Sequence, residues 1–538
     1  MADTPSQRPE DTDSFSLNRR ELLMGAGGVL LAGSLAACGS GSSSSSGTTA
    51  AAGTPKRGGN FRLAVTGGGA KDIMDGQSII TKPDQARLMT AFETLLVYDT
   101  NYILQPHLAE EVTQNKPDQW TIKLKKGIEF SNGKTLTSDD VVYSLQRILN
   151  PKLGLFGTSG FASLKPSGIK KLNSTTVQLN LSYADAGIGE QLGQYYNGIV
   201  PEGYAAFPAP QHGTGGYILK NFTPGQQSVH TRNPNYWQSG KPYFDQVTIT
   251  DFADPDAQVN ALQAGQADAM TDLPFSNVPV IKGHAGLSVL VSKTGGWLPL
   301  CMAIDLTPFT DNRVREAFRL MVDRPQMVQQ VLSGYGTVAN DLYSPFDPAY
   351  NHSLPQRVQD IEKAKSLLKQ AGQDGMTVDL HTTNGAAGMV ESANVFATQA
   401  QAAGVTINVH NDPNYYGDLY LKLAFSVDFW GTRNYLPQVA NGSIPGAPYN
   451  ETHWPPKSGP GSNFLDLYHQ ALTQVDEQKR IPIIHEMQAL EYNYGGYIIP
   501  FFNDLVDAYS SKVAGFEPSK GTLNLTSFGN GYTTIWFT

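Results

Sequence analysis

The chain has 538 residues, a formal net charge of −9 at pH 7, 40% hydrophobic residues and 16% charged residues. This length is enough for about two or three domains with sizeable cores, and the composition is that of a globular protein. The acidic balance supplies no basic surface for nucleic acid, which excludes that class of partner.

The N-terminal residues have the pattern of an export signal. Arg19 and Arg20 precede an apolar segment, residues 22–35, which is shorter than the roughly 20 residues that span a bilayer. The paired arginines resemble a Tat signal, and the Leu-Ala-Ala-Cys sequence that ends at Cys38 resembles a bacterial lipobox. We therefore predict a signal peptide over residues 1–37 and a lipid on Cys38 that anchors the protein to the outer face of the cell membrane.

The segment after Cys38 has the composition of a tether. Residues 39–54 are almost wholly Gly, Ser, Thr and Ala, which cannot bury enough apolar surface to fold, so we predict a flexible linker over residues 38–56. Once Cys38 is used by the anchor, Cys301 is the one cysteine left, and no intramolecular disulfide can form. Cys301 lies in an apolar run, which predicts a small buried hydrophobic residue.

The first elements after the tether are a strand and a glycine loop. Asn60–Thr66 alternates apolar and polar residues, as a strand with one buried face does. Gly68 and Gly69 follow it, and the backbone there is a candidate for close approach to a ligand, although a plain turn fits equally well. Because no G-x-x-x-x-G-K motif follows, we predict no phosphate-binding loop. Further on, Trp120 begins another alternating strand, and residues 137–140 have the pattern of a helix cap.

The second half of the chain alternates between helix and strand patterns. Helical spacing begins at Asn312 and recurs over residues 358–371 and 392–403, while strand patterns occupy residues 377–381 and 405–409. This alternation indicates parallel strands with crossover helices, that is, the α/β class. Near the C-terminus, the apolar residues 497–502 predict one buried strand.

Enzyme motifs are absent from the sequence. His485 and Glu486 lack the second histidine of the zinc motif H-E-x-x-H, and no serine after the tether lies in a G-x-S-x-G elbow. His381, His410 and His453 are far apart along the chain, so we predict no metal site, and nothing indicates a cofactor. Carboxylates are plentiful, but their pairing is not readable from sequence. A secreted lipoprotein hydrolase stays as the alternative from another functional class.

Several motifs resemble those of one family, in that family's order. Residues 120–145 contain an alternating strand, a Lys-Gly-Ile-Glu-Phe turn region and an Asp-Val-x-x-Ser helix start, and they closely resemble the signature of the family 5 extracellular solute-binding proteins. These are the oligopeptide, dipeptide and nickel type receptors of ABC importers. Residues 213–237, 261–268 and 308–318 also resemble the family's motifs, and the resemblance extends from about Arg57 to the C-terminus.

The resemblance implies an α/β fold of two lobes, the type II periplasmic-binding-protein-like fold of the enlarged cluster, with the ligand cleft between the lobes. We map the first lobe to residues 57–280 and 501–538, with an extra N-terminal subdomain inserted at about 94–200, and the second lobe to residues 281–500. The family also implies a membrane permease and separate ATPase subunits as partners. We expect a monomer, exported to the periplasmic space or the cell surface.

The ligand class depends most on residues 427–437. In peptide receptors of the family the corresponding segment resembles Trp-x-x-Asp-Tyr-x-x-Pro, and its Asp pairs with the α-ammonium of the peptide. Trp430 and Tyr435 match this segment, but Asn434 stands in place of the Asp, with Arg433 beside it. A neutral amide cannot compensate a buried ammonium. Asp428 replaces the missing carboxylate if it faces the cleft, whereas Arg433 in the cleft favours a carboxylate, a phosphate or a polyol; packing of Arg433 outside the ligand site is the third possibility.

We therefore predict a receptor for a small polar solute. Peptide is the leading class, with weakened selectivity for free N-terminal amines, and an oligosaccharide or an opine-like solute is the alternative. The loop 449–454 carries aromatic residues that suit the mouth of a cleft, although ordinary loop packing explains them equally well. The candidate ligand-binding residues are Asp428, Trp430, Arg433, Asn434, Tyr435, Gly68, Gly69 and Trp297.

Overall fold

The computed structural model describes residues 54–79, 81–413, 415–526 and 532–538. The predicted signal peptide, Cys38 and most of the predicted tether lie outside the described residues. Within them, three larger sheets and a set of helices build the fold, so the predicted α/β class is confirmed.

The first sheet has eight strands in the described part of the chain. The predicted strand Asn60–Thr66 is confirmed at its centre, where it pairs in parallel with Gln246–Phe252 and with Ala269–Met270. Phe61, Leu63 and Val65 are buried, which accounts for the alternating pattern in the sequence. In spatial order the strands are Leu287–Trp297, Phe501–Ser510, Ala269–Met270, Asn60–Thr66, Gln246–Phe252, Gln227–Arg232 and Tyr217–Thr223, and Gly336–Val338 pairs with Phe501–Ser510.

The second sheet contains the predicted parallel strands. Thr377–Thr382 pairs in parallel with Thr406–Asn411, and the crossover between them is the helix Met389–Gln401. The alternation of helix and strand patterns is thereby confirmed for this region. Within the described residues this sheet has five strands, in the order Thr406–Asn411, Thr377–Thr382, Phe425–Val427, Leu300–Met302 and Tyr497–Ile498.

A third sheet is antiparallel and lies within the segment predicted as the inserted subdomain. The helix Ser138–Ile148 packs on it, and the predicted cap is confirmed, because Thr137 and Asp140 form a capping box. We keep the bounds of this subdomain, about 94–200, as a proposal. The strands of the third sheet are Ala109–Lys116, Gln119–Leu124, Thr176–Leu181 and Leu164–Asn173, and two small pairs join Leu96–Tyr98 to Leu104–Pro106 and Val513–Ala514 to Trp536–Phe537.

The remaining helices cover the two larger sheets and the connections between them. The α-helices not yet given are Lys82–Ala91, Ile188–Gln191, Pro255–Gln263, Val278–Gly283, Asn312–Leu320, Arg324–Leu332, Ile361–Gln370, Tyr435–Gly442, Phe464–Thr473 and Glu477–Tyr494. Short 3-10 turns occupy Phe156–Phe161, Phe275–Asn277 and Asn524–Thr526, and a π-turn occupies Tyr415–Leu419. Among the described residues no helix is both long and apolar enough to cross a membrane.

The chain passes directly from a strand of one larger sheet to a strand of the other at two places, and Gly336–Val338, in the middle of the second-lobe segment, also pairs with the first sheet. The strand Leu287–Trp297 still belongs to the first sheet, and Leu300–Met302 already belongs to the second. On the return, Tyr497–Ile498 ends the second sheet and Phe501–Ser510 enters the first. The prediction of one strand over residues 497–502 is therefore wrong, because the strand is interrupted at Pro500, which has no N–H to donate to a ladder.

These crossings change the lobe boundaries that we propose. The sequence placed the start of the second lobe at residue 281, but Leu287–Trp297 pairs with Phe501–Ser510 over almost its whole length. We propose that the first lobe continues to Trp297 and that the second lobe extends from about Leu298 to Ile499. Cys301 lies just inside this second lobe and is 1% exposed, as predicted.

A buried ion cluster connects several parts of the second lobe. Asp341 accepts hydrogen bonds from Arg324 and Arg357, each at 2.6 Å, and all three side chains are buried. Burial alone would raise the pKa of Asp341, but the two arginines outweigh it and hold the pKa below its usual range. The cluster joins the start of the helix Arg324–Leu332 to the loop that carries Arg357.

We expect Asp341→Asn to lower the free energy of unfolding by about 3 to 5 kcal/mol at neutral pH, because it leaves the buried Arg324 without its anion and Arg357 with Glu316 alone. A lowered carboxyl pKa contributes stability above the unfolded-state pKa and loses it as the pH falls through the folded-state value. The difference in the free energy of unfolding between wild type and Asp341→Asn should therefore become smaller at acid pH. Urea unfolding followed by circular dichroism measures both effects.

The matched control for this variant is Asp374→Asn, which changes an exposed aspartate of the same lobe. Its free energy of unfolding should stay within about 0.5 kcal/mol of wild type. Equal stability of Asp341→Asn and Asp374→Asn would show that the buried cluster does not hold the lobe together.

Candidate functional site

The candidate site begins at the carboxyl edge of the second sheet. The parallel strands Thr377–Thr382, Thr406–Asn411 and Phe425–Val427 all end at this edge. In open α/β sheets, ligands bind outside the carboxyl ends of the strands. Asp428 directly follows the last of these strands, so the stretch predicted to govern ligand class starts where the topology favours a site.

Trp297 and Trp430 meet where the first sheet joins the second. Trp297 donates its backbone N–H to the oxygen of Trp430 at 3.0 Å, and Trp430 donates its own to Trp297 at 2.9 Å. Their rings are stacked with centroids 5.9 Å apart, and the ring of Tyr343 stacks on Trp297 at 5.5 Å. The structure thus brings two predicted site residues together, with Trp297 fully buried beneath Trp430.

Arg433 lies against the ring of Trp430. Its guanidinium carbon is 5.2 Å from the ring centroid, a cation–π geometry. Within the described residues, the buried atoms Arg433 Nη1 and Trp430 Nε1 have no hydrogen-bond partner, and no carboxylate forms a salt bridge with Arg433. Two strong donors are therefore left unused at adjacent positions.

Besides Tyr102, three tyrosines lie near Arg433: Tyr195, Tyr196 and Tyr449. Burial raises the pKa of each phenol, and the positive charge of Arg433 opposes that rise, so all three are neutral donors at neutral pH. The ring of Tyr449 is 5.8 Å from that of Trp430, edge to face. We call Trp430, Arg433, Tyr195, Tyr196 and Tyr449 the Arg433 pocket.

The Arg433 pocket is formed by two parts of the chain that are far apart in sequence. Tyr195 and Tyr196 come from the segment predicted as the inserted subdomain, and the other three members come from the second lobe. Tyr102 also links the two parts, since its hydroxyl donates to the backbone oxygen of Thr432 at 2.8 Å. The aromatic loop 449–454 contributes Tyr449 to this junction, while Trp454 is buried in the core of the second lobe.

Asn434 is hydrogen-bonded to a carboxyl group of the same junction, that of Glu190. The hydroxyl of Tyr98 donates to Glu190 Oε2 at 3.1 Å. Burial and the negative charge of Asp347 raise the pKa of Glu190 to about 8, against the opposing hydrogen bonds of Asn434 and Tyr98. Glu190 is therefore a neutral acid at pH 7, and the amide of Asn434 is engaged by the protein itself.

Asp428 is 3% exposed and has partners inside the second lobe. It accepts hydrogen bonds from the hydroxyl of Tyr416 and from the backbone N–H of Phe429, both at 2.8 Å. It also lies beside Glu451, and burial raises the pKa of both carboxyls, while the charge of Asp428 raises that of Glu451 further. Tyr497 also donates to Glu451 at 2.6 Å, so the two neighbouring carboxyls are held by donors of the protein itself.

Tyr435 belongs to the buried aromatic layer that packs behind the site. Its side chain is fully buried, and its hydroxyl donates to Glu491 Oε2 at 2.6 Å. Tyr343 donates to the other oxygen of Glu491 at 2.6 Å, and burial raises the pKa of that carboxyl to about 7. Tyr435 and Trp297 therefore hold the layer on which Trp430 rests.

Gly68 and Gly69 lie elsewhere, in the first lobe. Gly68 has φ +94°, and a Cβ there would be 2.9 Å from the carboxylates of Asp72 and Asp251. Both carboxylates pair with the buried Arg87. The glycine loop thus passes close to a buried ion cluster, and the structure does not bring it together with the Arg433 pocket.

Two histidines that are far apart in the sequence are neighbours in the second sheet. The rings of His381 and His410 are stacked 4.9 Å apart, because their strands pair in register. Each is bound to its own carboxylate, His381 to Asp412 at 2.7 Å and His410 to Asp379 at 3.1 Å. Within the described ranges no group of three His, Cys, Asp or Glu side chains is placed to hold a metal ion.

Sequence reasoning missed Glu190, Tyr195 and Tyr196. They lie far from residues 428–435 along the chain, in and after a short helix with no motif of its own, so no spacing in the sequence relates them to Arg433. The one local signal is the tyrosine pair itself, which does not distinguish a ligand site from a core.

We expect Glu190→Gln to stabilise the ligand-free protein at alkaline pH. A carboxyl whose pKa is raised on folding stabilises the fold fully below its unfolded-state pKa and loses that stability as the pH rises through about 8. The variant should match wild type near pH 5 and be more stable by roughly 2 kcal/mol at pH 8 to 9. This stability difference is smaller than the whole shift in the pKa of Glu190 corresponds to, because the residue keeps some contact with solvent.

Urea unfolding of both proteins between pH 5 and pH 9 measures this difference. Glu202→Gln, at an exposed glutamate, is the control and should follow wild type throughout. Parallel pH curves for Glu190→Gln and wild type would contradict the neutral state of Glu190.

The chain is similar to bacterial binding proteins. Residues 104–446 match the family described as "Bacterial extracellular solute-binding proteins, family 5 Middle". Heme-binding protein A of Haemophilus influenzae is 26% identical over 297 residues, which cover 50% of this chain and 54% of that protein. Nickel-binding protein NikA of Staphylococcus aureus is 24% identical over 443 residues, which cover 79% of this chain and 86% of that protein.

Glutathione-binding protein GsiB of Escherichia coli is 25% identical over 297 residues, which cover 54% of this chain and 57% of that protein. The chain thus spans about half the length of the heme-binding and glutathione-binding relatives and most of the nickel-binding one. All three are named as binding proteins.

Solved structures match the fold over most of the chain. AgaA of A. tumefaciens in complex with agropinic acid has a TM-score of 0.75 at 21% identity and covers 89% of this chain and 99% of its own. The oligopeptide-binding protein AppA of Bacillus subtilis, in complex with a nonapeptide, has a TM-score of 0.73 at 19% identity and covers 90% and 100%. These likenesses confirm the predicted two-lobed, type II binding-protein fold. Because the family match extends over more than half of the chain, the protein belongs to the bacterial extracellular solute-binding proteins of family 5.

Proposed function

We propose that this protein is the receptor of an ABC importer, which captures a small polar solute between its lobes and delivers it to a membrane permease driven by separate ATPase subunits. The observation that carries the proposal is the Arg433 pocket, where unsatisfied polar groups and aromatic faces from two parts of the chain enclose one place at the carboxyl edge of a sheet. Most buried polar groups in folded proteins have a hydrogen-bond partner, so donors left without one at this place can accept a partner from a solute.

The two crossings between the larger sheets support a receptor that closes around its solute. The short segments Leu298–Pro299 and Ile499–Pro500 link strands of the two larger sheets, and the strand Gly336–Val338 also reaches the first sheet; short connections of this kind act as hinges. Contacts at the Arg433 pocket, such as the hydrogen bond from Tyr102 to Thr432, form between parts that a hinge motion would separate. Solute binding is therefore coupled to the relative position of the lobes.

Peptides remain within the proposed ligand class, but the carboxylate that pairs with the α-ammonium in peptide receptors is replaced here by Asn434. Asn434 is bonded to the neutral acid Glu190, and Asp428 is buried beside Glu451 with a raised pKa and partners of its own. Neither residue offers a free carboxylate to an α-ammonium. An opine-like solute is the alternative, and the likeness to AgaA in complex with agropinic acid supports it.

The experiment that tests the receptor function is identification of the solute. The protein is purified without denaturation, then unfolded, and the released compounds are identified by mass spectrometry. We expect one small polar compound, in near-stoichiometric amount, that is unchanged when returned to the protein and that raises the melting temperature. Absence of any released or stabilising compound contradicts the receptor function, and conversion of the compound into a product would indicate a hydrolase.

We expect any peptide binding to depend little on the N-terminal amine. Calorimetry with di- to pentapeptides, each with a free and an N-acetylated terminus, should give dissociation constants that differ by less than about 10-fold, a difference of roughly 1.4 kcal/mol. Strong binding that is lost on acetylation would show that a carboxylate of the site accepts the ammonium after all.

We also propose that Cys38 carries a lipid that holds the receptor at the membrane, where the permease is within reach at a high effective concentration. Expressed in a lipoprotein-processing host, Cys38→Ala should move the protein from the membrane fraction to the soluble fraction without changing its affinity for the solute. Retention of the variant in the membrane fraction would refute the anchor.

A further inference from the structure

We propose that the Arg433 pocket is a subsite for one carboxylate of the solute, so that the receptor selects solutes with a monovalent anionic group. This inference rests on the proposed receptor function and deepens it. The guanidinium of Arg433 and the indole N–H of Trp430 would bind the carboxylate oxygens, and the phenols of Tyr195, Tyr196 and Tyr449 would surround it.

The pocket contains donors that the protein leaves unused. Arg433 Nη1 and Trp430 Nε1 are buried and have no hydrogen-bond partner in the described part of the chain. Trp430 is only 7% exposed and Tyr196 only 6%, so water reaches these groups poorly when the lobes are together. A buried donor without an acceptor costs the free energy of its desolvation, and an acceptor from the solute removes that cost.

Charge decides that the acceptor is an anion. Arginine keeps its proton at every accessible pH, and among the described residues no carboxylate is salt-bridged to Arg433. Glu190, an acid of this junction, is neutral at pH 7, because burial and the charge of Asp347 raise its pKa to about 8. The pocket is therefore positive until a solute neutralises it.

The charge also favours a carboxylate over a phosphate. The positive charge that acts on Tyr195, Tyr196 and Tyr449 is in each case that of Arg433. One guanidinium balances one negative charge, whereas a phosphate dianion would stay half compensated in a buried place. A flat carboxylate in the plane of the guanidinium also fits the stacking of that group on Trp430.

A buried amide beside Trp430 adds a second recognition group. Gln438 is 1% exposed, and neither its amide oxygen nor its nitrogen has a partner among the described residues. The side chains of Gln438 and Trp430 meet beside Gly442. A Cβ added to Gly442 would lie 3.4 Å from the amide nitrogen of Gln438 and 3.1 Å from the ring of Trp430. The amide offers one donor and one acceptor to the part of the solute next to the carboxylate.

The test uses matched probes that differ in one charge. Thermal-shift and calorimetric measurements compare trialanine with its C-terminal amide, glucuronate with glucose, and octopine with its amide, and glucose 6-phosphate serves as the phosphate arm. We expect stabilisation by the carboxylate member of at least one pair and not by the partner that lacks the carboxylate. Binding of neutral, cationic or phosphorylated members alone overturns the carboxylate subsite but leaves the receptor function standing. Binding of none, together with absence of any released compound, removes both.

Variants then assign the preference to the pocket. Arg433→Gln should lower the affinity for the carboxylate probe by roughly 10- to 100-fold, as expected for loss of a charge-assisted hydrogen bond, and should abolish discrimination between acid and amide. Trp430→Phe keeps the ring, removes the indole N–H and should cost less. Lys457→Gln, which removes an exposed positive charge, is the control and should bind like wild type. Unchanged discrimination in Arg433→Gln, with a wild-type melting temperature, overturns the proposal.

Discussion

The two larger sheets are joined at one junction, where Trp297 and Trp430 exchange both of their backbone hydrogen bonds. Trp297 ends a strand of the first sheet, and Trp430 follows a strand of the second. Stacked aromatic rings bury large apolar areas in a defined geometry, and here Tyr343 and Tyr435 extend the stack into the second lobe. The junction therefore fixes where residues 430–434 lie relative to the first lobe, and the Arg433 pocket depends on it.

The buried acids of this region and the half-buried Arg433 respond to desolvation in opposite ways. Burial raises the pKa of Glu190 to about 8 and that of Glu491 to about 7, and it also raises the pKa values of Asp428 and Glu451. An acid escapes the cost of burial by binding a proton. Arg433 has no such route, so its charge is left for a partner that the described residues do not supply.

Local patterns in the sequence predicted most individual elements correctly. The capping box at Thr137 and the parallel strands at residues 377–382 and 406–411 follow from short-range sterics and from the period of side chains along a strand or a helix. The same patterns could not assign a strand to a lobe. Leu287–Trp297 has the alternation of any half-buried strand, and only its pairing with Phe501–Ser510 shows that it belongs to the first sheet.

The sequence by itself determined the fold class, the family and the stretch of residues 428–435 in which ligand selectivity is expected, because each is encoded in contiguous motifs. Tertiary structure alone decided which of those residues are engaged. It bonded Asn434 to Glu190, enclosed Asp428 beside Glu451, and left Arg433 Nη1, near Tyr195, Tyr196 and Tyr449, without a hydrogen-bond partner among the described residues. The reason is physical: the state of a charged group depends on desolvation and on neighbours from distant parts of the chain, and these exist only once the chain has folded.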